Sequence, residues 1–205
     1  MITPQGLPAR TVDWTDDWST GRIRFRRETA PGTPSTSLIG TDTGEARVTP
    51  KGTIELLLHN NGVAVSATNY PAVALIVSLS KYQCTFHLGQ PANPRLPLAD
   101  PNPDSAAVTE MCPDPYYPQG MAQLVWTFST SSGLPKSVQL PVWGNTHHIV
   151  LSETLTYAGF QNAHGLVTPS QLRIARSNGR IDTLTISDPA FSVAIPDSTF
   201  TVIKQ

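Results

Sequence analysis

Charge is the scarcest commodity in this chain. Asp, Glu, Lys and Arg make up 14% of its 205 residues, against roughly 25% in an average soluble domain. The formal net charge is −1, so no strong electrostatic partner follows, and the balance argues against nucleic acid. Long apolar runs are also missing. The longest, Ala72 to Val77, falls far short of the roughly 20 residues of a membrane helix, and no membrane insertion is expected. There are 2 cysteines, Cys84 and Cys112, too few for a disulfide scaffold. Both read first as free thiols, with a single bridge between them as the alternative. No Asn-x-Ser/Thr acceptor occurs, which argues against a glycosylated ectodomain. The first residues, Met1 to Pro4, lack the basic start and apolar middle of a secretory leader.

Chemistry-bearing motifs are absent too. The chain holds no nucleophile elbow, no His-Glu-x-x-His and no phosphate-cradling glycine loop, so neither an enzyme nor a cofactor is expected. The acidic run Asp100, Asn102, Asp104 starts like a calcium loop but has Ser105 and Met111 where Gly and Glu are required. Asp13, Asp16 and Asp17 beside Trp14 and Trp18 read as loop decoration. His147 and His148 are adjacent; on a strand they face opposite ways and cannot share a metal. No metal site is expected.

What the chain does have is turn chemistry. It carries 19 Pro and 14 Gly, and between them lie short runs rich in Thr, Ser, Val, Leu and Ile. That pattern predicts an all-β fold, a compact antiparallel β-sandwich or barrel of about ten to twelve short strands joined by long Pro-rich loops. Residues 1–205 read as one domain, with 1–20 as an N-terminal extension and 29–52 as a polar linking segment. Strands are predicted at 22–27, 53–58, 63–67, 73–80, 83–88, 122–128, 138–142, 148–156, 171–175, 181–186, 191–195 and 199–203. Asn61-Gly62 and Asn178-Gly179 are hairpin turns, since both residue types tolerate positive φ. A further hairpin is expected around Lys81-Tyr82. Residues 89–120 form a long Pro-rich loop with one helical turn at 105–110, and a loop of that length is usually functional.

Binding features are richer than catalytic ones. Tyr116 and Tyr117 stand in a proline-stiffened loop, where large amphipathic rings bind at little ordering cost. Trp143, Asn145, His147 and His148 place an indole beside amide and imidazole groups, a plausible sugar platform. Gln161 and Asn162 lie in a third polar-aromatic loop. The plain alternative is that Tyr116 and Trp143 cover a core edge.

The stretch Pro8 to Thr15, in which Ala9-Arg10 and, two residues on, Asp13-Trp14-Thr15 stand, is similar to the start of the hepatitis E virus protruding domain. In texture the whole chain resembles the capsid spike of avian-type astroviruses. The ending Phe200 to Gln205 resembles that of trimeric adenovirus fibre heads. The spike resemblance implies a homodimer on the virion surface that binds a host-cell glycan or protein receptor and meets neutralising antibodies. A fibre head or a cellular carbohydrate-binding β-sandwich is the alternative.

Overall fold

The computed structural model describes residues 2–4, 11–17, 22–28, 36–41, 44–48, 54–57, 71–80, 83–89, 103–113, 121–143, 149–191 and 194. Nearly all of the regular structure is antiparallel β, as the composition requires. One sheet of eight strands runs β1(Ile2–Pro4)-β13(Ile181–Thr185)-β12(Leu166–Arg176)-β11(Ile149–Ala163)-β10(Pro135–Trp143)-β9(Met121–Ser129)-β8(Ser105–Pro113)-β7(Thr85–Leu88). A second, of five strands, runs β2(Thr11–Asp17)-β3(Arg22–Glu28)-β4(Thr36–Thr41)-β5(Gly44–Val48)-β6(Ile54–Leu57). One helix, α1(Pro71–Ser80), is described. No helix among the described residues is long and apolar enough to cross a membrane.

The large sheet is open, with β1 and β7 at its edges, and not the closed barrel that was one expectation. From β7 to β13, strands that neighbour in sequence also neighbour in space. The β11–β12 hairpin turns on His164 (φ 51°) and Gly165 (φ 87°), the two positive values that a two-residue hairpin loop needs to match strand twist. Asn162 Oδ1 accepts from the Gly165 amide at 3.0 Å. The β12–β13 turn uses Asn178-Gly179 as anticipated, and Asn178 Oδ1 accepts from the Arg180 amide at 3.1 Å.

Several local readings need correction. Residues 73–80 are helix, not strand, so the expected hairpin around Lys81-Tyr82 does not form. A short apolar run rich in Val and Ile suits either state by pattern alone. Pro71 at the first turn and Ala72, Ala74, Leu75 and Leu79 within it favour the helix. Residues 105–113 are strand, not a helical turn, and break up the supposed long loop. The N-terminal extension supplies β1 and β2, and the polar segment 29–52 supplies β4 and β5; hydroxyl-rich residues suit strands even where a core does not claim them. Asp13, Asp16 and Asp17 therefore lie on a strand, where Asp13 stands opposite Arg26 and Asp17 opposite Arg22. The predicted Asn61-Gly62 hairpin and the strands at 63–67 and 199–203 lie outside the described residues. At 191–195, Phe191 and Ala194 are described and neither is in a strand.

Strand alternation sends one face of the large sheet to the core. Trp126, Val138, Leu140, Leu155, Tyr157, Leu172, Leu184 and Ile186 gather there, capped by Ala74 of α1. The register aligns Val108, Trp126, Val138, Leu155, Ile174 and Asp182 in one row across six strands. Trp126 stacks on Tyr157 with centroids 6.4 Å apart and on Phe128 at 6.2 Å. Such pairs add about 0.5–1.5 kcal/mol beyond simple area burial.

The longest strand, β11, bends at Gly159 (φ 62°), where an added Cβ would lie 2.2 Å from Ser170 Oγ. Glycine is required there on both counts.

Candidate functional site

The most unusual chemistry on the core face is a carboxyl group. Glu110 sits on β8 with only 2% of its surface exposed, in a strand that is otherwise small or apolar. Its Oε2 accepts the indole N–H of Trp126 from β9, and Ser78 of α1 hydrogen-bonds to it as well. Burial pushes the carboxyl above the ordinary glutamate range, against those two hydrogen bonds, which favour its charged form. Burial, then the nearby Glu110, likewise holds the Tyr157 hydroxyl well above its usual value.

Beside this carboxyl lies the disulfide Cys84–Cys112, with Cα atoms 4.2 Å apart. This corrects the expectation of free thiols. The residues are 28 apart in sequence, and only the pairing of β7 with β8 brings them together: Thr85 stands opposite Met111. Glu110 Oε1 lies 3.1 Å from Cys112 Sγ. A bridged sulfur carries no proton, so this is a close contact and not a hydrogen bond donated by sulfur.

These groups tether α1. The Cys84 amide donates to the Ser78 carbonyl at 2.9 Å, Ser78 reaches Glu110, and Cys84 is bonded to Cys112. Gln83, which follows the helix and precedes β7, has a positive φ of 53°. The helix has no charged residue. Its Val73 and Ala74 are buried, while Ile76 is 56% and Leu79 61% exposed. A helix apolar on all sides is normally enclosed; here its outer side is not. Leu88, which shares the alternation of Phe86 and so the core side of edge strand β7, is 90% exposed.

The far end of the same face is ionic. Arg176 Nε donates to Glu153 Oε1 at 2.5 Å, its Nη1 donates to Asp182, and Arg180 Nε donates to Asp182 Oδ1 at 3.2 Å. Asp182 is buried. Burial alone would raise its carboxyl, but the hydrogen bonds and charges of the two arginines together outweigh that and hold it below the usual range.

Of the residues singled out in the sequence, Gln161 and Asn162 lie exposed at the end of β11, where Asn162 shapes the hairpin turn. Trp143 ends β10 at a register irregularity between Val142 and Trp143. Tyr116, Tyr117, Asn145, His147 and His148 lie outside the described residues. The groups that do converge, Ser78, Cys84, Glu110, Cys112 and Trp126, were not read as a site. A lone Glu in the apolar run of β8, two residues from one of only two cysteines, was the available signal.

Comparison with solved structures finds three similar chains. A LolA-superfamily protein from Nitrosomonas europaea matches 89% of this chain and 77% of its own length at 10% identity and a TM-score of 0.53. The fold is thus LolA-like, and at 10% identity the likeness concerns the fold alone. A DUF1329-family protein from Desulfovibrio piger (12% identity, 88% and 81% covered) and a domain named for outer-membrane lipoprotein sorting from Vibrio parahaemolyticus (12%, 87% and 81%) have TM-scores of 0.47 and 0.43. Only the first exceeds 0.5, and it alone bears on the fold. No family model and no curated protein matches the chain.

The LolA-like fold overturns the viral reading. With the astrovirus-type spike fall its virion-surface location, its homodimer and the host glycan or protein receptor and neutralising antibodies inferred from it. The fibre-head and carbohydrate-module alternatives fare no better. The physical reason is plain: scarce charge and abundant turns are common to many antiparallel β folds, and eight similar positions at residues 8–15 carry no topology.

Proposed function

We propose that this protein is a carrier for an apolar ligand of the acyl-chain type, such as the lipid anchor of a lipidated polypeptide, and that the outward side of α1 receives that chain. The observation that carries the reading is the uncharged helix α1, whose inner residues Val73 and Ala74 pack on the sheet while Ile76 and Leu79 face outward. Leaving two such side chains a little over half exposed forgoes roughly 1–2 kcal/mol each of possible burial, which an acyl chain would recover. The LolA-like fold supports the same reading. The disulfide favours an oxidising compartment such as the bacterial periplasm, since disulfides seldom persist in the cytosol. Binding without chemistry suits a face whose titratable groups are tied into structural pairs.

The test is titration of the oxidised protein with a fluorescent acylated peptide and with the same peptide lacking its acyl group. Saturable binding of the acylated form alone is expected, with Ile76→Glu and Leu79→Glu each weakening it about tenfold or more. Both sites are exposed, so the variants should fold. Equal signals from the two peptides, or unchanged binding in both variants, would remove the proposal.

A further inference from the structure

The Cys84, Glu110 and Cys112 side chains present three ligand atoms all within 4.8 Å of one another. Two are buried and the third half-buried, and they come from two paired elements, the start of β7 and the end of β8. In the oxidised protein the sulfurs are spent on each other. Reduction by a dithiol changes what the cluster offers. The S–S bond breaks, the dithiol leaves as its cyclic disulfide, and two protons and two electrons pass to Cys84 and Cys112. The products are two thiols facing one carboxyl group.

We propose that the reduced cluster is a binding site for a zinc-class divalent cation. Both thiols release their protons as the ion binds, and two thiolates and one carboxylate oxygen of Glu110 become its ligands. Water fills the fourth position of the tetrahedron. Zinc accepts this mixed sulfur and oxygen set, and its bond lengths of about 2.3 Å to sulfur and about 2.0–2.2 Å to a carboxylate oxygen require the sulfurs only to separate from bonded contact. The carboxylate needs little further displacement, because Oε1 already lies 3.1 Å from Cys112 Sγ. Trp126 and Ser78, both bonded to Glu110, orient it, as outer partners orient metal ligands generally. A hard cation such as magnesium, which demands an octahedron of oxygens, does not suit the set. The β7–β8 junction that anchors α1 would thus have two alternative staples, one covalent and one metallic. This inference is independent of the acyl-carrier reading and would survive its failure.

Cobalt(II) serves as the probe on the full-length protein. After reduction and removal of the dithiol, one equivalent should produce a thiolate-to-cobalt charge-transfer band and the intense visible bands of a tetrahedral site. The oxidised protein should show neither. X-ray absorption of the zinc-loaded wild type should show two sulfur and two oxygen neighbours. Glu110→Gln should weaken cobalt binding about tenfold or more while its two thiols remain fully titratable. Octahedral spectra without a thiolate band, a shell free of sulfur, or the same spectrum in the oxidised protein would each overturn the proposal. If Glu110→Gln does not fold, the absorption measurement on the wild type decides alone.

Discussion

Removal of the Cys84–Cys112 bridge should weaken the fold by an amount that chain statistics alone can supply. The bridge closes a segment with a sequence separation of 28. Cross-linking removes from the unfolded ensemble an entropy of 2.1 + 1.5R ln n, which for this loop is about 12 cal/mol/K, or about 3.6 kcal/mol at 25 °C. The native contacts of the paired alanine variant Cys84→Ala with Cys112→Ala change little, because the Cys84 amide keeps its bond to Ser78 and Glu110 keeps Trp126. With a urea slope of about 2 kcal/mol/M for a domain of this kind, the unfolding midpoint should fall by about 2 M. The assay is equilibrium urea unfolding followed by Trp fluorescence, with a chelator present so that no metal substitutes for the bond. Adding reductant to the wild type should reproduce the shift, and adding it to the variant should do nothing. A drop below about 0.5 M would refute the reasoning, because the loop would then be held closed by its own contacts even in the unfolded chain.

Three other outcomes follow from the core face. Leu172→Ala removes a core side chain with no exposed surface and should cost about 2–5 kcal/mol by chemical denaturation, the range for a buried Leu truncation. Asp182 has a folded-state pKa below its ordinary value of 3.8, so its stabilising contribution is complete above about pH 4 and is lost as pH falls through the depressed folded value. Asp182→Asn should therefore lower stability at neutral pH and flatten the acid-side decline, both visible in denaturation midpoints measured from pH 7 down to pH 2. Gly159→Ala places a methyl group against Ser170 at a positive φ and should destabilise by more than about 1 kcal/mol, while Gly133→Ala, with nothing within 4 Å of the added carbon, should cost less in the same melting experiment.

Local pattern carried much of the secondary structure. The alternation in β3, β9, β10, β12 and β13, and the Asn178-Gly179 turn, were readable because each depends on residues a few positions apart. Residues 73–80 were not, because Val and Ile in a short apolar run satisfy helix and strand equally until a sheet face exists for Ala74 to pack on. The candidate site was hidden for the same reason. Glu110 and Trp126 are 16 residues apart, Arg176 and Glu153 are 23 apart, and Cys84 and Cys112 are 28 apart.

Low charge, abundant Pro and Gly, and period-two runs were enough by themselves to determine that this chain folds as antiparallel β, since each acts through local backbone preference and face alternation. Tertiary structure alone decided that the large sheet stays open, that an uncharged helix lies on it, and that a carboxyl group, an indole and two sulfurs meet beneath that helix. Such meetings depend on strand order and register, which are set by the collective packing of the core and which no short stretch of sequence specifies.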